Sequence, residues 1–286
     1  MTEQEIRSIP AIDVHSHFGP VHPTPEEYYA GNFEDGSAEY LLRTMRQANI
    51  AVSINSYMYG ILPRGAGDAL KGNEMMAEQL DSLPGVYGWA IVNPLVPETY
   101  AQAAELLKHP KILGIKVHPE EHLYPIRQHG EAIYSFAAEH HCVIITHSGE
   151  TNSLPEDFCV FANRYPEVKT IVSHLGCGYD GSYEHQIRAI EMNTQDNLFT
   201  DTSSARSVMA RLLEYAVDRI GHDKILFGTD SSCYFSPSQR ARVDFANISA
   251  EARRAILCGN ALRIFPFLQD IYDKEVRAMA ARRDQA

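Results

Sequence analysis

Cysteine is scarce and unpaired in this 286-residue chain: Cys142, Cys159, Cys177, Cys233 and Cys258 form no C-x-x-C pair. An odd count without that spacing fits reduced, mostly buried thiols better than a disulfide framework, so the sequon-like Asn247-Ile248-Ser249 carries no meaning. Positive charge is also short, with 25 Lys and Arg against 37 Asp and Glu and a net charge of -12. Phosphate binding needs a cationic footprint, and the only basic cluster, Arg282-Arg283, reads as a solvated helix end, which excludes a nucleic-acid partner. No apolar run approaches the roughly 20 residues of a membrane span. The opening Met-Thr-Glu-Gln-Glu-Ile-Arg lacks the basic-then-apolar order of a signal peptide. The expectation is a cytoplasmic protein with no membrane partner.

Linkers and low-complexity segments are missing as well, which predicts a single domain over residues 1–286 with a core of good size. What is present is a regular alternation. Eight short, β-branched apolar runs, at residues 11–15, 50–55, 86–92, 112–117, 143–147, 169–174, 198–202 and 225–230, are separated by amphipathic stretches. That is the pattern of repeated βα units on a parallel sheet. Eight units in this length fit an α/β fold of the (β/α)8 type, a TIM barrel over about 9–267, better than an open doubly wound sheet. Thr24-Pro25-Glu26-Glu27 and Ser153-Leu154-Pro155-Glu156 read as capping boxes with proline in the first turn. Residues 204–220, with Val208, Leu212, Leu213, Ala216, Val217 and Ile220 on one face and Gly221 behind, read as a helix. Residues 28–36 and 59–71 are long excursions above the barrel, where specificity is built. After Phe267 a polar, Ala-rich helical extension, 268–286, lies outside the barrel, and its apolar Ile271 and Tyr272 predict a homodimer.

The chemistry is carried by strand ends. His15 and His17, two apart in the first strand, project to one face, and two converging imidazoles suit a divalent metal. Alone, His-x-His reads equally as two polar turn residues. His118, His147, His174 and Asp230 repeat the choice at four other strand ends, and in a barrel all of these surround one mouth. Asp13 shares a face with His15 and His17, in position to orient an imidazole. Lys116 shares a face with His118. It is open between a barrel ion pair with Asp13 or Asp201 and a cationic seat for a substrate carboxylate or carbonyl. Arg206 is a second anion contact or a solvated arginine, and Asp230 is open to a helix-capping role beside Ser231 and Ser232.

The ordered set Ile12-Asp13-Val14-His15-Ser16-His17, Gly114-Ile115-Lys116-Val117-His118-Pro119, Thr146-His147, Ser173-His174-Leu175-Gly176, Phe227-Gly228-Thr229-Asp230 and Gly259-Asn260-Ala261-Leu262-Arg263-Ile264-Phe265 resembles the amidohydrolase superfamily. More narrowly it is similar to the amidohydrolase-2 branch, which holds metal-dependent hydrolases and nonoxidative decarboxylases of the aminocarboxymuconate-semialdehyde type. The resemblance implies a distorted barrel with one divalent metal, usually zinc, with manganese and iron as alternatives. It implies that His15, His17, His147 and Asp230 hold the ion and that His174 and Asp230 act as acid or base; Lys116, His118 and Arg206 are the candidates to face the substrate. In binuclear relatives a lysine on the fourth strand is carbamylated and bridges two ions; the branch is typically mononuclear. The reading that follows is hydrolysis of an amide, ester or lactone in a small molecule by a metal-activated water. Nonoxidative decarboxylation of a small carboxylic acid on the same site is the alternative. Gly176-Cys177-Gly178-Tyr179-Asp180-Gly181 also matches G-x-G-x-x-G, which leaves an NAD-binding oxidoreductase as a minor reading and a non-catalytic metal-binding module beside it.

Overall fold

The computed structural model describes residues 2–23 and 35–283. Eight parallel strands lie in the sheet in chain order. They are β1 (Ala11–Phe18), β2 (Ile50–Tyr57), β3 (Val86–Ile91), β4 (Ile112–Val117), β5 (Val143–Thr146), β6 (Thr170–Val172), β7 (Leu198–Asp201) and β8 (Ile225–Leu226). Every residue of all eight strands is buried, as expected of strands covered on both faces, and this is why they read as apolar runs rather than alternating ones. Main-chain bonds from β1 to the segment after β8 close the barrel: Val14 N donates to Phe227 O at 3.0 Å and Asp230 N to His15 O at 2.7 Å. The single tryptophan, Trp89, is buried in β3 and donates from Nε1 to Val14 O at 3.0 Å.

Helices α1 (Glu3–Ser8), α2 (Ala38–Gln47), α3 (Ala69–Leu80), α4 (Glu98–Leu106), α5 (Ile126–Glu139), α6 (Pro155–Arg164), α7 (His185–Met192), α8 (Leu212–Ile220), α9 (Ser236–Phe245), α10 (Ala250–Arg254), α11 (Asn260–Ile264) and α12 (Leu268–Arg283) accompany the strands. Arg240 of α9 binds Asp244 at 2.8 Å and the carbonyls of Ala48, Asn49 and Ile6, fastening α9 to the base of the first βα unit.

Several expectations need correction. The stretch 204–220 is a 3-10 turn at Ala205–Val208 followed, after Arg211 in the left-handed region at φ 64°, by α8; Val208 is exposed. The break is local: an arginine at positive φ cannot sit inside a continuous helix. The helix does end at Gly221, φ 81°. Ser153 forms no capping box, since Leu154 occupies the cap position and the Ser153 hydroxyl has no partner, while Pro155 does open α6. The Thr24 capping box and residues 28–34 of the first excursion lie outside the described residues. The tail helix packs back on the molecule: Tyr272 is buried and donates from its hydroxyl to Pro10 O at 2.7 Å, and Ile271 packs on the core. The two residues that argued for a dimer are therefore spent within the chain. Among the described residues no helix is long and apolar enough to cross a membrane.

Candidate active site

The strand ends deliver His15, His17, His118, His147, His174, Arg206 and Asp230 to one cavity of about 580 Å³, walled also by Met58, Ile61, Leu62 and Tyr234. Ile61 and Leu62 come from the second excursion, whose Gly65 N donates to Glu121 O at 2.8 Å. The cavity thus sits at the C-terminal mouth, where βα loops build barrel sites.

On its floor His17 Nε2 lies 3.0 Å and His15 Nε2 3.6 Å from Asp230 Oδ1. These three atoms fall within 4.8 Å of one another. Each imidazole is turned by a bond at its other nitrogen: His15 Nδ1 to Asp201 Oδ2 at 3.0 Å, His17 Nδ1 to the Ser56 hydroxyl at 2.9 Å. Both Nε2 atoms thus face the Asp230 carboxylate, and a cation can stand where the three groups meet. The donor set, two imidazole nitrogens and one carboxylate oxygen, fits a divalent metal. Burial, then Lys116, push the His15 imidazole down to about 4, so it is neutral at pH 7. Burial pushes the Asp230 carboxyl up, but the His17 hydrogen bond and the neighbouring imidazoles override it and hold the group well below the usual range.

His174 stands beside this cluster, its ring centroid 4.8 Å from that of His15. Both His174 (φ 71°) and Asp230 (φ 53°) occupy the left-handed region, a conformation that costs about 1–3 kcal/mol per residue and clusters at functional sites. The strand trace explains it: β6 and β8 stop early, and each chain then turns sharply to aim one side chain into the mouth. Behind His174 lies Asp201, the last residue of β7. Its Oδ1 accepts from the amides of His174 and Ser203 at 3.1 and 3.0 Å. The expected partner, Asp13, is elsewhere: its carboxylate accepts from Thr229 Oγ1 at 2.6 Å and from the amides of Thr229 and His15, both at 3.1 Å. Asp13 pins β1 to the end of β8, and Asp201 orients His15 instead. Burial pushes the Asp201 carboxyl up, but His15 and the Ser203 hydroxyl more than offset it and hold it far below its ordinary value.

Lys116 makes no ion pair with Asp13 or Asp201 among the described residues; its Nζ reaches His15 Nε2 at 2.9 Å, and burial lowers it to about 8. The β4–β5 wall meets the floor cluster through His174, whose ring centroid is 4.7 Å from that of His147. His147 does not join His15, His17 and Asp230: its ring stacks on His118 at 4.4 Å, and its Nε2 meets Glu150 at 2.9 Å. Glu150 is held in turn by Arg64, which also binds Glu121. His118 Nδ1 accepts from Glu121 N at 3.2 Å, and burial keeps this imidazole neutral. Arg206 lines the cavity, but its Nη1 donates to Gly178 O.

The glycine motif belongs to the rim. It follows the sixth strand of a barrel, and its amides are used internally: Gly176 N donates to Gln186 Oε1 at 3.2 Å, Cys177 N to His174 O at 2.8 Å and Tyr179 N to Gly149 O at 2.7 Å. With these amides engaged inside the rim and α7 starting only at His185, the motif does not open a helix as a dinucleotide site requires, and the NAD-binding reading is set aside.

A (β/α)8 barrel with a histidine-rich, carboxylate-bearing cluster at its C-terminal mouth defines a class of barrel enzymes. The amidohydrolase family model matches residues 12–267, and this chain belongs to that family. No curated protein matches the sequence. Among solved structures, 2,6-dihydroxybenzoate decarboxylase from Rhizobium is similar with a TM-score of 0.69 and 15% identity, over 90% of this chain and 99% of that one. Dihydroxybenzoic acid decarboxylase from Polaromonas sp. JS666, with bound manganese and the inhibitor 2-nitroresorcinol, gives 0.70 and 16%, over 91% and 98%. The 5-carboxyvanillate decarboxylase from Novosphingobium aromaticivorans DSM 12444, with manganese, gives 0.68 and 14%, over 93% and 99%. At such identities the likeness establishes the fold. It also corrects the hydrolase expectation: these similar barrels bear the names of decarboxylases, which matches the alternative reading.

Proposed function

We propose that the protein is a metal-dependent, nonoxidative decarboxylase of a small carboxylic acid. The observation that carries this reading is a donor set for one cation standing beside a buried lysine. The floor cluster of His15, His17 and Asp230 suits a divalent ion, and the buried Lys116 ammonium points at the same imidazole. The fold shared with three decarboxylases supports it.

In this reading His15, His17 and Asp230 hold one divalent ion, with His147 as a fourth ligand if its ring turns from Glu150. Manganese and zinc both accept this donor set. The ion supplies positive charge that orients the substrate and stabilises charge developing on it. Lys116 adds a second positive charge, and Arg206 and His118 border the substrate. His174 handles the proton: burial keeps its imidazole neutral at rest, it takes up a proton from solvent at Nε2, the bond from carbon to carboxylate breaks with its electron pair left on carbon, CO2 departs, and the imidazolium delivers that proton to carbon and returns to its neutral form. The apolar residues Met58, Ile61 and Leu62 keep water from the reacting centre.

The test is CO2 release by the manganese-loaded protein from a panel of hydroxylated benzoates and small aliphatic acids. Release that stops with a chelator and returns with metal supports the reading. A folded, metal-loaded protein that releases no CO2 across the panel contradicts it.

A further inference from the structure

The mechanism leaves one buried hydroxyl unused. Ser203, fully buried just after β7, lies with its Oγ 2.9 Å from His174 Nδ1 and 3.0 Å from His15 Nδ1, and it also contacts Asp201 Oδ1. A hydroxyl has one proton to give, so these contacts can be assigned by counting. Asp201 Oδ1 already faces the amides of His174 and Ser203, which can only donate, so this oxygen is an acceptor and Ser203 gives its proton there. Asp201 Oδ2 accepts from His15 Nδ1. The Ser203 oxygen is then left as an acceptor, and the group facing it, His174 Nδ1, must carry a proton.

We infer that Ser203 is a positioning residue that fixes His174 as its Nδ1–H tautomer and presents the Nε2 lone pair to the cavity. The chain His174–Ser203–Asp201 places one carboxylate behind two imidazoles. Directly through Oδ2 it orients His15, and through the Ser203 hydroxyl it orients His174. When Nε2 takes up the proton destined for carbon, the imidazolium still donates from Nδ1, and the Asp201 charge stabilises it through the serine. No bond in the relay has to break during turnover. The inference deepens the proposed decarboxylation, whose proton donor is His174, but the tautomer stands on hydrogen-bond counting alone.

Long-range nitrogen-15 NMR of the zinc-loaded protein, with His174 assigned through the spectrum of His174→Asn, reads the tautomer directly. The expected result is a protonated Nδ1 and an unprotonated Nε2 in the wild type. Ser203→Ala should populate the other tautomer and lower kcat by about 10- to 100-fold, the usual range for a group that orients a functional imidazole, with KM and metal content unchanged. Ser203→Thr, which keeps the hydroxyl, should restore the wild-type tautomer. A proton on Nε2 in the wild type overturns the inference, as does a Ser203→Ala protein with unaltered tautomer and kcat. If no acid yields CO2 while His174 is Nδ1-protonated, the relay stands and the decarboxylase reading falls.

Discussion

At the scale of single residues the account separates a proton carrier from a metal ligand. His174→Asn should lower turnover by about 10²- to 10⁴-fold, the usual contribution of general acid-base catalysis, with metal content unchanged. Asp230→Asn should lower turnover at least as far and weaken metal binding as well, because an amide oxygen is a poorer ligand than the carboxylate that meets His17 at 3.0 Å. Steady-state kinetics with metal analysis on both variants decides; metal loss in His174→Asn contradicts the assignment. A pH effect follows at the cavity wall. Burial pushes the Cys177 thiol up to about 11. Its thiolate fraction at pH 8 is then about one in a thousand, against about one in four for an ordinary thiol. Iodoacetamide should therefore label Cys177 slowly at pH 8, with a rate that climbs toward pH 11, as peptide mass spectrometry would measure. Rapid labelling at pH 8 would show that burial does not govern this thiol.

At the scale of elements, α9 is fastened through Arg240, which is buried together with Asp244. Arg240→Ala leaves that buried carboxylate unpaired and removes a donor to the Ala48 carbonyl, so the fold should lose about 3–5 kcal/mol in denaturant unfolding. A loss under about 1 kcal/mol, the range of exposed pairs, would contradict the burial argument. Elements are also where the sequence was most readable. Strands covered on both faces need apolar, β-branched runs, and so all eight could be placed. The left-handed turns at His174 and Asp230 could not, because nothing in the residue type of either demands positive φ. Histidines at strand ends were visible since their spacing follows the strand period. Ser203, Ser56 and the orienting role of Asp201 were not, because each acts on a histidine from another strand, a relation set by barrel closure, and Glu150 reaches His147 only through the shape of the loop after β5. The one available signal was Asp201-Thr202-Ser203, a polar run ending the seventh strand. Asp13 misled for the same reason: sharing a strand face with His15 did not bring its carboxylate to an imidazole.

At the scale of the whole molecule, the closed barrel supplies a rigid frame and the site gathers charge that the frame does not need. Three lone-pair donors converge on one point, and an ion bound there should stabilise the folded chain by mass action, about 2.7 kcal/mol at a hundredfold excess over Kd. The measurement that bears most directly on the central claim is the metal content of protein purified without chelator, compared with a His15→Ala, His17→Ala double variant. The account predicts close to one divalent ion per wild-type chain, and a double variant that stays folded without it. An unchanged metal content in the double variant, or two ions in the wild type, would contradict the site described.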